Sequence, residues 1–327
     1  MSKIQIPSPD EQIAFSFKLG ELRAKYLQDG LAATVGGFTN VEFQELDEQL
    51  RKLAPIEGIR ELAKRSLRAE LVFATPLVLQ SNPFMLGYYR LLLGFSQKAF
   101  YTATFGLTSF KTLEQKGRIP VACEGKLEEL CFQINCSAMQ LLGGVGLDRM
   151  KKEFMDDLTL LTLGPQLRGG RNNQVGQDGI ATVFKEIYHI VEHAADSSDS
   201  TCIKLTNAAK REVEIAFAAD PDIVMKEKMD GGEIHNLIAI EVKAGQDRSN
   251  IHNRIGEAEK SHQKARQDGF TECWTIVNVD SLDMDVAKKE SPTTNQFFKI
   301  SDIASREGER YRYFKNRVIT LAGIPSA

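Results

Sequence analysis

The sequence predicts an α/β protein that has a large helical N-terminal part. Through most of the first 165 residues, apolar residues recur at the spacing of helices, whereas candidate strands and helices alternate after residue 180. The composition also changes near Gly164. We therefore predict a mainly helical region of residues 1–165 and an α/β domain of residues 166–327.

The helices of the first region follow from their apolar spacing and their end signals. We predict helices at residues 10–33, 40–53, 56–73 and 125–142. The segment 83–101 is aromatic and apolar on nearly every side, which indicates a buried core helix. Its alternative is a dimer interface or a helix packed close to a nucleic acid. The glycine run 143–146 lacks the Gly-Lys-Ser/Thr ending of a phosphate loop and predicts a turn.

The second region begins with a polar, glycine-rich run of residues 164–179 that shows no apolar periodicity. It predicts a long loop, and loops of that length inside a domain are often functional. A helix is predicted next, at residues 180–195, and its apolar face consists of Val183, Phe184, Ile187, Ile190 and Val191. The remaining predictions are strands at 213–217, 222–225, 236–242 and 273–279, with a helix at 249–267.

Two acidic residues and a lysine form the strongest candidate site. Side chains of a strand alternate between its faces, so Glu241 and Lys243 point to one side while Val242 points into the core. The turn signal Met229-Asp230-Gly231-Gly232 predicts a hairpin that brings Asp222 near Glu241. Paired carboxylates suit Mg²⁺, which takes few protein ligands and completes its shell with water and phosphate oxygens. With a lysine to orient or deprotonate water, or to stabilise developing charge, these groups suit phosphodiester hydrolysis.

A second Glu-x-Lys match shows how little the short motif means alone. Glu124-Gly125-Lys126 has glycine at its centre and no Pro-Asp shortly before it. The match at Glu241 has Pro221-Asp222 upstream, a turn between and an apolar strand beneath. Its alternative is a surface strand end with an ordinary Glu–Lys pair.

The context of the motif resembles a known superfamily. Ala219-Asp220-Pro221-Asp222, followed by the strand Ile-Ala-Ile-Glu-Val-Lys at 238–243, is similar to the PD-(D/E)XK nucleases, whose core is a central mixed β-sheet flanked by helices. The helix–strand–strand–strand–helix–strand order over residues 180–279 fits that core. The segment 86–98 is similar to type II restriction endonucleases of the group that includes XcyI and XmaI, which cut within CCCGGG.

The resemblance implies roles for particular residues. Asp222 and Glu241 would bind Mg²⁺, and Lys243 would serve the attacking water. Many members add a glutamate from the helix before the first strand, for which Glu186 is placed best and Glu192 second. Charged residues on such a helix usually face solvent, so the alternative is that both glutamates are ordinary surface residues.

Two polar segments carry the forked donors that read bases in the major groove, where Arg pairs with guanine and Asn or Gln with adenine. One is the predicted loop 164–179, and the other follows the strand that carries Glu241. The candidate DNA-binding residues are Arg168, Arg171 and Asn173 in the first segment and Asp247, Arg248, Ser249, Asn250 and Arg254 in the second. The alternative for both segments is a solvated polar loop.

Composition and charge exclude some classes of protein. The formal net charge of −3 excludes a histone-like binder but not a nucleic-acid enzyme, whose basic groups need only cluster locally. No uncharged apolar run of about eighteen residues is present, so we expect no membrane span. The N-terminus lacks the apolar segment of a signal peptide, and five scattered cysteines fit a reducing compartment. We therefore expect a cytoplasmic protein.

Three hypotheses of function stay open at this point. The first is a type II restriction endonuclease, a homodimer that cuts both strands of a short, G/C-rich palindrome in double-stranded DNA with Mg²⁺ as cofactor. The helical region would then supply dimer and DNA contacts, and a cognate DNA methyltransferase would be its functional partner. The second is a repair or recombination nuclease that recognises DNA structure. The third is a non-catalytic DNA-binding protein.

Overall fold

The computed structural model describes residues 9–146, 149–245, 250–279 and 282–326. The chain divides into two units, Met1–Gly169 and Gly170–Ala327. The boundary between them falls inside a helix. No helix in the described ranges is both long and apolar enough to cross a membrane.

The first unit is built from helices. They are α1 (Asp10–Tyr26), α2 (Gln28–Gly36), α3 (Asn40–Leu53), α4 (Ile56–Ala63), α5 (Pro76–Ser81), α6 (Met85–Leu92), α7 (Gln97–Phe100), α8 (Lys111–Lys116), α9 (Val121–Glu124) and α10 (Leu127–Val145). Short 3₁₀ helices lie at Ala69–Leu71, Ala103–Phe105 and Thr108–Phe110. One large apolar cluster, contributed by α2 to α6 and α10 among others, forms the core of this unit.

The predicted helices of this unit are confirmed in their places, with differences at their ends. The prediction for 40–53 matches α3, which begins with a capping box between Thr39 and Glu42. The predicted helix 10–33 is two helices, because Leu27 between α1 and α2 is extended. The predicted helix 56–73 ends early, at Ala63. The predicted turn at 143–146 is wrong in part, since α10 continues to Val145 and only Gly146, with φ of 93°, leaves the helix.

The prediction of a buried core helix within 83–101 is confirmed. Every residue of α6 is buried. The hydroxyls of Tyr88 and Tyr89 donate hydrogen bonds to the carbonyls of Leu71 and Glu70, at 2.6 and 2.9 Å. Both phenols are thereby satisfied in the core, as buried tyrosines usually are.

The same helix buries an arginine whose partner the sequence does not reveal. Arg90 is fully buried, and its guanidinium donates two hydrogen bonds to Glu114 at 2.7 and 2.8 Å. Gln97 and Tyr101 donate to the same carboxylate at 2.7 and 2.6 Å. These donors outweigh the effect of burial and lower the pKa of Glu114. Such a network ties the segment after α6 to α8.

The predicted loop 164–179 is wrong, because these residues lie inside α11 (Lys152–Val191), a helix of 40 residues with Pro165 in its interior. Glycine and proline disfavour a helix, but packing on both sides of the run overrides them. Before it, Leu163 is buried in an apolar cluster with Leu27 and Leu91. After it, Val183 and the apolar residues that follow on α11 are buried in the core of the second unit.

The second unit is built on a sheet of seven strands. They are β1 (Ala195–Ser198), β2 (Cys202–Thr206), β3 (Glu212–Phe217), β4 (Ile223–Lys228), β5 (Ile234–Lys243), β6 (Glu272–Val277) and β7 (Gln296–Lys299). Their spatial order is their chain order. Strands β1 to β5 pair antiparallel, and β5, β6 and β7 pair parallel. The predicted α/β class with a mixed sheet is confirmed, although β1, β2 and β7 were not predicted.

Helices cover both faces of this sheet. They are the end of α11, α12 (Ile251–Gln267), α13 (Met284–Glu290), α14 (Ile300–Ala304) and α15 (Gly308–Ala322). On one face, the predicted apolar stripe of α11, from Val183 to Val191, packs with Ile240 and Val242 of β5, as predicted for a core-facing helix. On the other face, Ala265 of α12 packs against Ala239 of β5 and its neighbours. Alternation along β5 therefore turns Glu241 and Lys243 toward the face that α12 covers.

Candidate active site

The β4–β5 hairpin brings the candidate carboxylates together, as the sequence predicts. Its turn is closed by a hydrogen bond from the amide of Gly232 to the carbonyl of Met229 at 2.8 Å, and Gly232 has a φ of 84° that suits glycine. At the far end of the hairpin, Ile223 lies opposite Ile240. Asp222 therefore lies next to β5, and its Oδ2 accepts a hydrogen bond from the amide of Val242 at 2.7 Å.

Glu241 and Lys243 lie on one face of β5, which confirms the prediction from strand alternation. Lys243 Nζ donates a hydrogen bond to Glu241 Oε1 at 2.7 Å. Glu241 is 6% exposed, and Val242 between them belongs to the apolar core of the opposite face. The pair is thus held in a site that is largely closed to solvent.

Burial makes both carboxylates difficult to ionise. It raises the pKa of Asp222, against the opposing effects of the Val242 amide and the Lys243 charge. Burial also raises the pKa of Glu241, and the nearby negative charge of Asp222 raises it further, while Lys243 lowers it. A second positive charge between the carboxylates would favour their ionised forms.

The donor set fits a hard divalent cation such as Mg²⁺. Carboxylate oxygens are its preferred protein ligands, and one or two of them are usual when substrate phosphate oxygens complete the shell. Half-buried Asp222 and buried Glu241 supply two such groups, and burial raises the pKa of both. Among the residues that the structure describes, no group of three or more His, Cys, Asp or Glu side chains could hold a metal ion.

A third carboxylate and a second lysine lie beside the pair, and the sequence analysis did not single them out. Asp220 Oδ2 accepts a hydrogen bond from Lys264 Nζ of α12 at 2.6 Å. Lys264 and the hydroxyl of Ser261 lower the pKa of Asp220 by hydrogen bonding. The charge of Asp220 contributes to the raised pKa of Asp222 and of Glu241. The spacing of Ser261 and Lys264, three residues apart on a predicted helix, could have indicated that they share a face.

A buried histidine of α12 contacts the sheet next to the strand that carries Glu241. His262 is fully buried, and its Nε2 lies 2.9 Å from the hydroxyl of Thr275 on β6. Burial lowers the pKa of His262 to about 4, so that the ring is neutral near neutral pH. Thr275 lies opposite Glu241 in the β5–β6 register, so this contact connects α12 to the strand beside the site.

The structure does not bring Glu186 to the carboxylate pair. Glu186 is buried on α11, and Arg306 donates two hydrogen bonds to its carboxylate at 2.7 and 2.9 Å. A buried carboxylate needs a positive partner, and here an arginine supplies it. Moreover, α11 packs on the sheet face that carries Val242, opposite to the face of Glu241.

The predicted DNA-binding residues fall into three sets. Arg168, Arg171 and Asn173 are exposed on α11 rather than on a loop. Asn250 precedes α12 as its cap residue, and Arg254 lies in the first turns of that helix. The third set, outside the described residues, is Asp247, Arg248 and Ser249.

Arg254 lies directly against the end of the strand that carries the candidate site. A Cβ atom at Gly245 would lie 1.8 Å from its Nη1, so the guanidinium occupies the space that glycine leaves. Nη1 is buried and has no hydrogen-bond partner within the described ranges. A polar groove of about 530 Å³ runs along this part of α12, lined by Asn250, Asn253, Arg254 and Lys260 among others.

Comparison with known proteins defines the class of this enzyme. The type II restriction enzyme XcyI of Xanthomonas campestris pv. cyanopsidis is 51% identical over 327 residues, which cover 99% of this chain and 97% of that protein. The type II restriction enzyme Cfr9I of Citrobacter freundii is 50% identical over 328 residues, which cover 100% of this chain and 98% of that protein. With its mixed sheet and its paired carboxylates, the chain is therefore a type II restriction endonuclease, a site-specific deoxyribonuclease.

The family follows from the same comparisons. The family model described as XcyI restriction endonuclease matches residues 16–325, and the chain belongs to that family. This confirms the resemblance stated from the sequence and favours the first of the three hypotheses. A non-catalytic DNA-binding protein and a structure-specific repair nuclease are set aside.

Proposed function

We propose that the protein hydrolyses DNA phosphodiester bonds with Mg²⁺ at a short, G/C-rich palindrome, which the resemblance to XcyI and XmaI suggests is CCCGGG. The observation that carries the chemical part is the half-buried Asp222 beside the buried Glu241, to which Lys243 donates a hydrogen bond. The order of the motif residues along the chain, and the hairpin that joins them, support the assignment to the PD-(D/E)XK superfamily.

Each residue of the site has a distinct role in this proposal. Asp222 and Glu241 would hold the cation through their carboxylate oxygens. Mg²⁺, when bound, supplies positive charge that stabilises the charge developing on the scissile phosphate. The Val242 amide fixes one oxygen of Asp222, so the carboxylate is oriented before substrate arrives.

Lys243 is the group of this chain that is placed to act on water or on developing negative charge. Its ammonium is held 2.7 Å from Glu241 Oε1 and its side chain is 17% exposed, so the lysine is partly shielded from bulk water. An ammonium fixed in a site of low dielectric stabilises nearby negative charge more strongly than one in water. It can also orient a water molecule through its remaining donors.

For DNA reading, we propose the segment that begins α12. Arg254 and Asn250 line the groove of α12 with forked donors, and Arg254 lies against Gly245 at the end of β5. Arg248, Ser249 and Asp247 immediately precede them in the sequence. The exposed polar run of α11, which contains Arg168, Arg171 and Asn173, is a second candidate for contacts with the DNA.

We further propose that the enzyme acts as a homodimer, since a palindrome is most simply matched by a protein with two-fold symmetry. Ile13 and Phe17 of α1 are 50% and 73% exposed, and no residue of this helix, which is described throughout, is buried. Such apolar side chains support a role of the helical region in subunit contacts. A DNA methyltransferase of the same specificity would be its functional partner.

A plasmid digest tests this proposal directly. The protein is incubated with a plasmid of known sequence, with and without Mg²⁺, and the ends of the products are mapped. Discrete fragments that end within CCCGGG, formed only with Mg²⁺, are expected. Cleavage at another sequence would overturn the proposed site, and cleavage without divalent metal would overturn the proposed chemistry.

A further inference from the structure

Two side chains of α12 hold the loop that carries Asp222. This loop joins β3 to β4 and is closed by a hydrogen bond from the amide of Ala218 to the carbonyl of Asp222 at 3.0 Å. Within it, Asp220 accepts a hydrogen bond from Lys264 at 2.6 Å and another from Ser261. The loop is therefore tied to α12 two residues before Asp222.

Asp222 is thus fixed from two directions. Its own carboxylate is bound by the Val242 amide of β5, at 2.7 Å. Its backbone is bound through the loop to Lys264 and Ser261 of α12. A carboxylate held in this way loses little freedom when a cation or a phosphate arrives.

The helix that supplies these contacts is itself attached to the sheet by a buried chain of polar groups. His262 Nε2 lies 2.9 Å from Thr275 Oγ1, which lies 2.9 Å from Thr294 Oγ1. The Thr294 hydroxyl lies 2.7 Å from that of Ser291, which donates to Glu259 at 2.8 Å. His262 and Glu259 both belong to α12, so the helix is fastened at two points. Buried polar networks of this kind make a structure rigid.

We propose that Lys264 is a positioning residue of the restriction reaction, which acts through Asp220 to place Asp222. The inference rests on the proposed role of Asp222. Lys264 is 68% exposed and its pair with Asp220 is a surface ion pair, which adds little to stability. The effect of Lys264 is local, because its pair with Asp220 fixes the β3–β4 loop, which ends at Asp222.

Charge supports the same assignment. Asp220 adds a further acidic side chain two residues before Asp222, and Lys264 forms an ion pair with it at 2.6 Å. Lys264 therefore neutralises an acidic group beside the proposed metal ligand Asp222. Partners that orient groups of a metal site commonly change activity by about 10- to 100-fold when they are removed.

A double-mutant cycle on the full chain tests the proposal. Single-turnover cleavage of a CCCGGG duplex at saturating enzyme and Mg²⁺ is measured for Lys264→Met, Asp220→Ala and the double variant. Each single change should slow cleavage by about 10- to 100-fold, and the double variant should be no slower than the slower single one. Lys264→Arg, which can still bind the carboxylate, should restore most of the rate. Multiplicative effects of the two changes would overturn the proposal.

Binding and a matched control separate positioning from other roles. The affinity of Lys264→Met for the duplex without added metal should stay close to that of the wild type. A loss of affinity with an unchanged rate at saturation would make Lys264 a DNA contact instead, and would overturn the proposal. Lys52→Met is the control, because Lys52 forms a pair with Glu128 at 2.7 Å and is 61% exposed in the helical unit. It should cleave at the wild-type rate.

Asp222→Asn is measured in the same series. If Asp222→Asn is inactive and Lys264→Met cleaves normally, the positioning role fails while the proposed function stands. If Asp222→Asn itself cleaves normally, the proposed function fails.

Discussion

Replacement of Asp222 by asparagine should make the protein insensitive to the stabilising effect of Mg²⁺. The asparagine Oδ1 can still accept the hydrogen bond from the Val242 amide, so the change removes the charge and little else. In the wild type, the carboxylates of half-buried Asp222 and buried Glu241 are ionised at a cost, because burial raises the pKa of both. A divalent cation bound only to the folded protein compensates that cost.

The sign of the pH effect follows from the direction of these pKa shifts. Because the pKa of Asp222 is raised in the folded protein, its contribution to stability is complete below the unfolded-state pKa and is lost as the pH rises through the folded-state value. Without metal, Asp222→Asn should therefore be more stable than the wild type at neutral pH. The two proteins should become equally stable in acid, where the aspartate is protonated.

The magnitude follows from mass action. At a Mg²⁺ concentration about 100 times its Kd, binding stabilises the folded protein by about 2.7 kcal/mol. The α/β unit is Gly170–Ala327, and for a unit of this size 1 kcal/mol corresponds to about 2–4 °C in Tm. Saturating Mg²⁺ should thus raise the Tm of the wild-type unit by roughly 5–10 °C.

Thermal unfolding followed by circular dichroism, with and without Mg²⁺, measures this effect without any cleavage. Asp230→Asn is the control, since Asp230 lies at the opposite end of the same hairpin and its side chain is 83% exposed. It should retain the full shift of Tm. An equal shift in Asp222→Asn would show that Mg²⁺ binds elsewhere and would refute the reasoning.

Three further predictions concern other parts of the structure. Arg90→Met should lower the free energy of unfolding by about 3–5 kcal/mol, because it leaves the buried Glu114 without its cation. The double variant with Glu114→Gln should lose much less. Denaturant titration of both variants checks this, and equal losses would contradict it. Gly245→Ala should displace the Arg254 guanidinium and weaken binding of the CCCGGG duplex by about 1–3 kcal/mol. Fluorescence anisotropy measures this affinity, and an unchanged value would show that Arg254 does not contact the DNA. Burial raises the pKa of Glu241. At subsaturating Mg²⁺, the cleavage rate should therefore fall on acidification at a higher pH than it would with an exposed glutamate. A pH–rate profile that stays flat through that range would argue against Glu241 as a ligand of the metal.

The candidate site could be predicted because its chemistry is local. Strand alternation places Glu241 and Lys243 on one face within three residues, and the turn at Gly231-Gly232 fixes the register that brings Asp222 beside them. Neither inference needs knowledge of the tertiary packing. The stripe of α11 that begins at Val183 could be predicted for the same reason.

What depends on packing between distant segments could not be predicted. The run from Gly164 to Gly179 has the composition of a loop, yet it is helical because apolar residues on both sides of it are buried in cores that its own sequence does not reveal. Glu186 has the spacing of a third site carboxylate, but Arg306, 120 residues away in the sequence, binds it instead. The tie between Asp220 and Lys264 spans 44 residues and likewise leaves no signal in either segment alone.

Single-turnover cleavage of a CCCGGG duplex by a Lys243 variant, with binding followed in parallel, tests the proposed catalytic centre most directly. Lys243→Ala should lower the rate by about 10²- to 10⁴-fold at saturating Mg²⁺ while the affinity for the duplex changes little. Cleavage by Lys243→Ala at the wild-type rate would contradict the assignment of Asp222, Glu241 and Lys243 as the centre that cuts DNA.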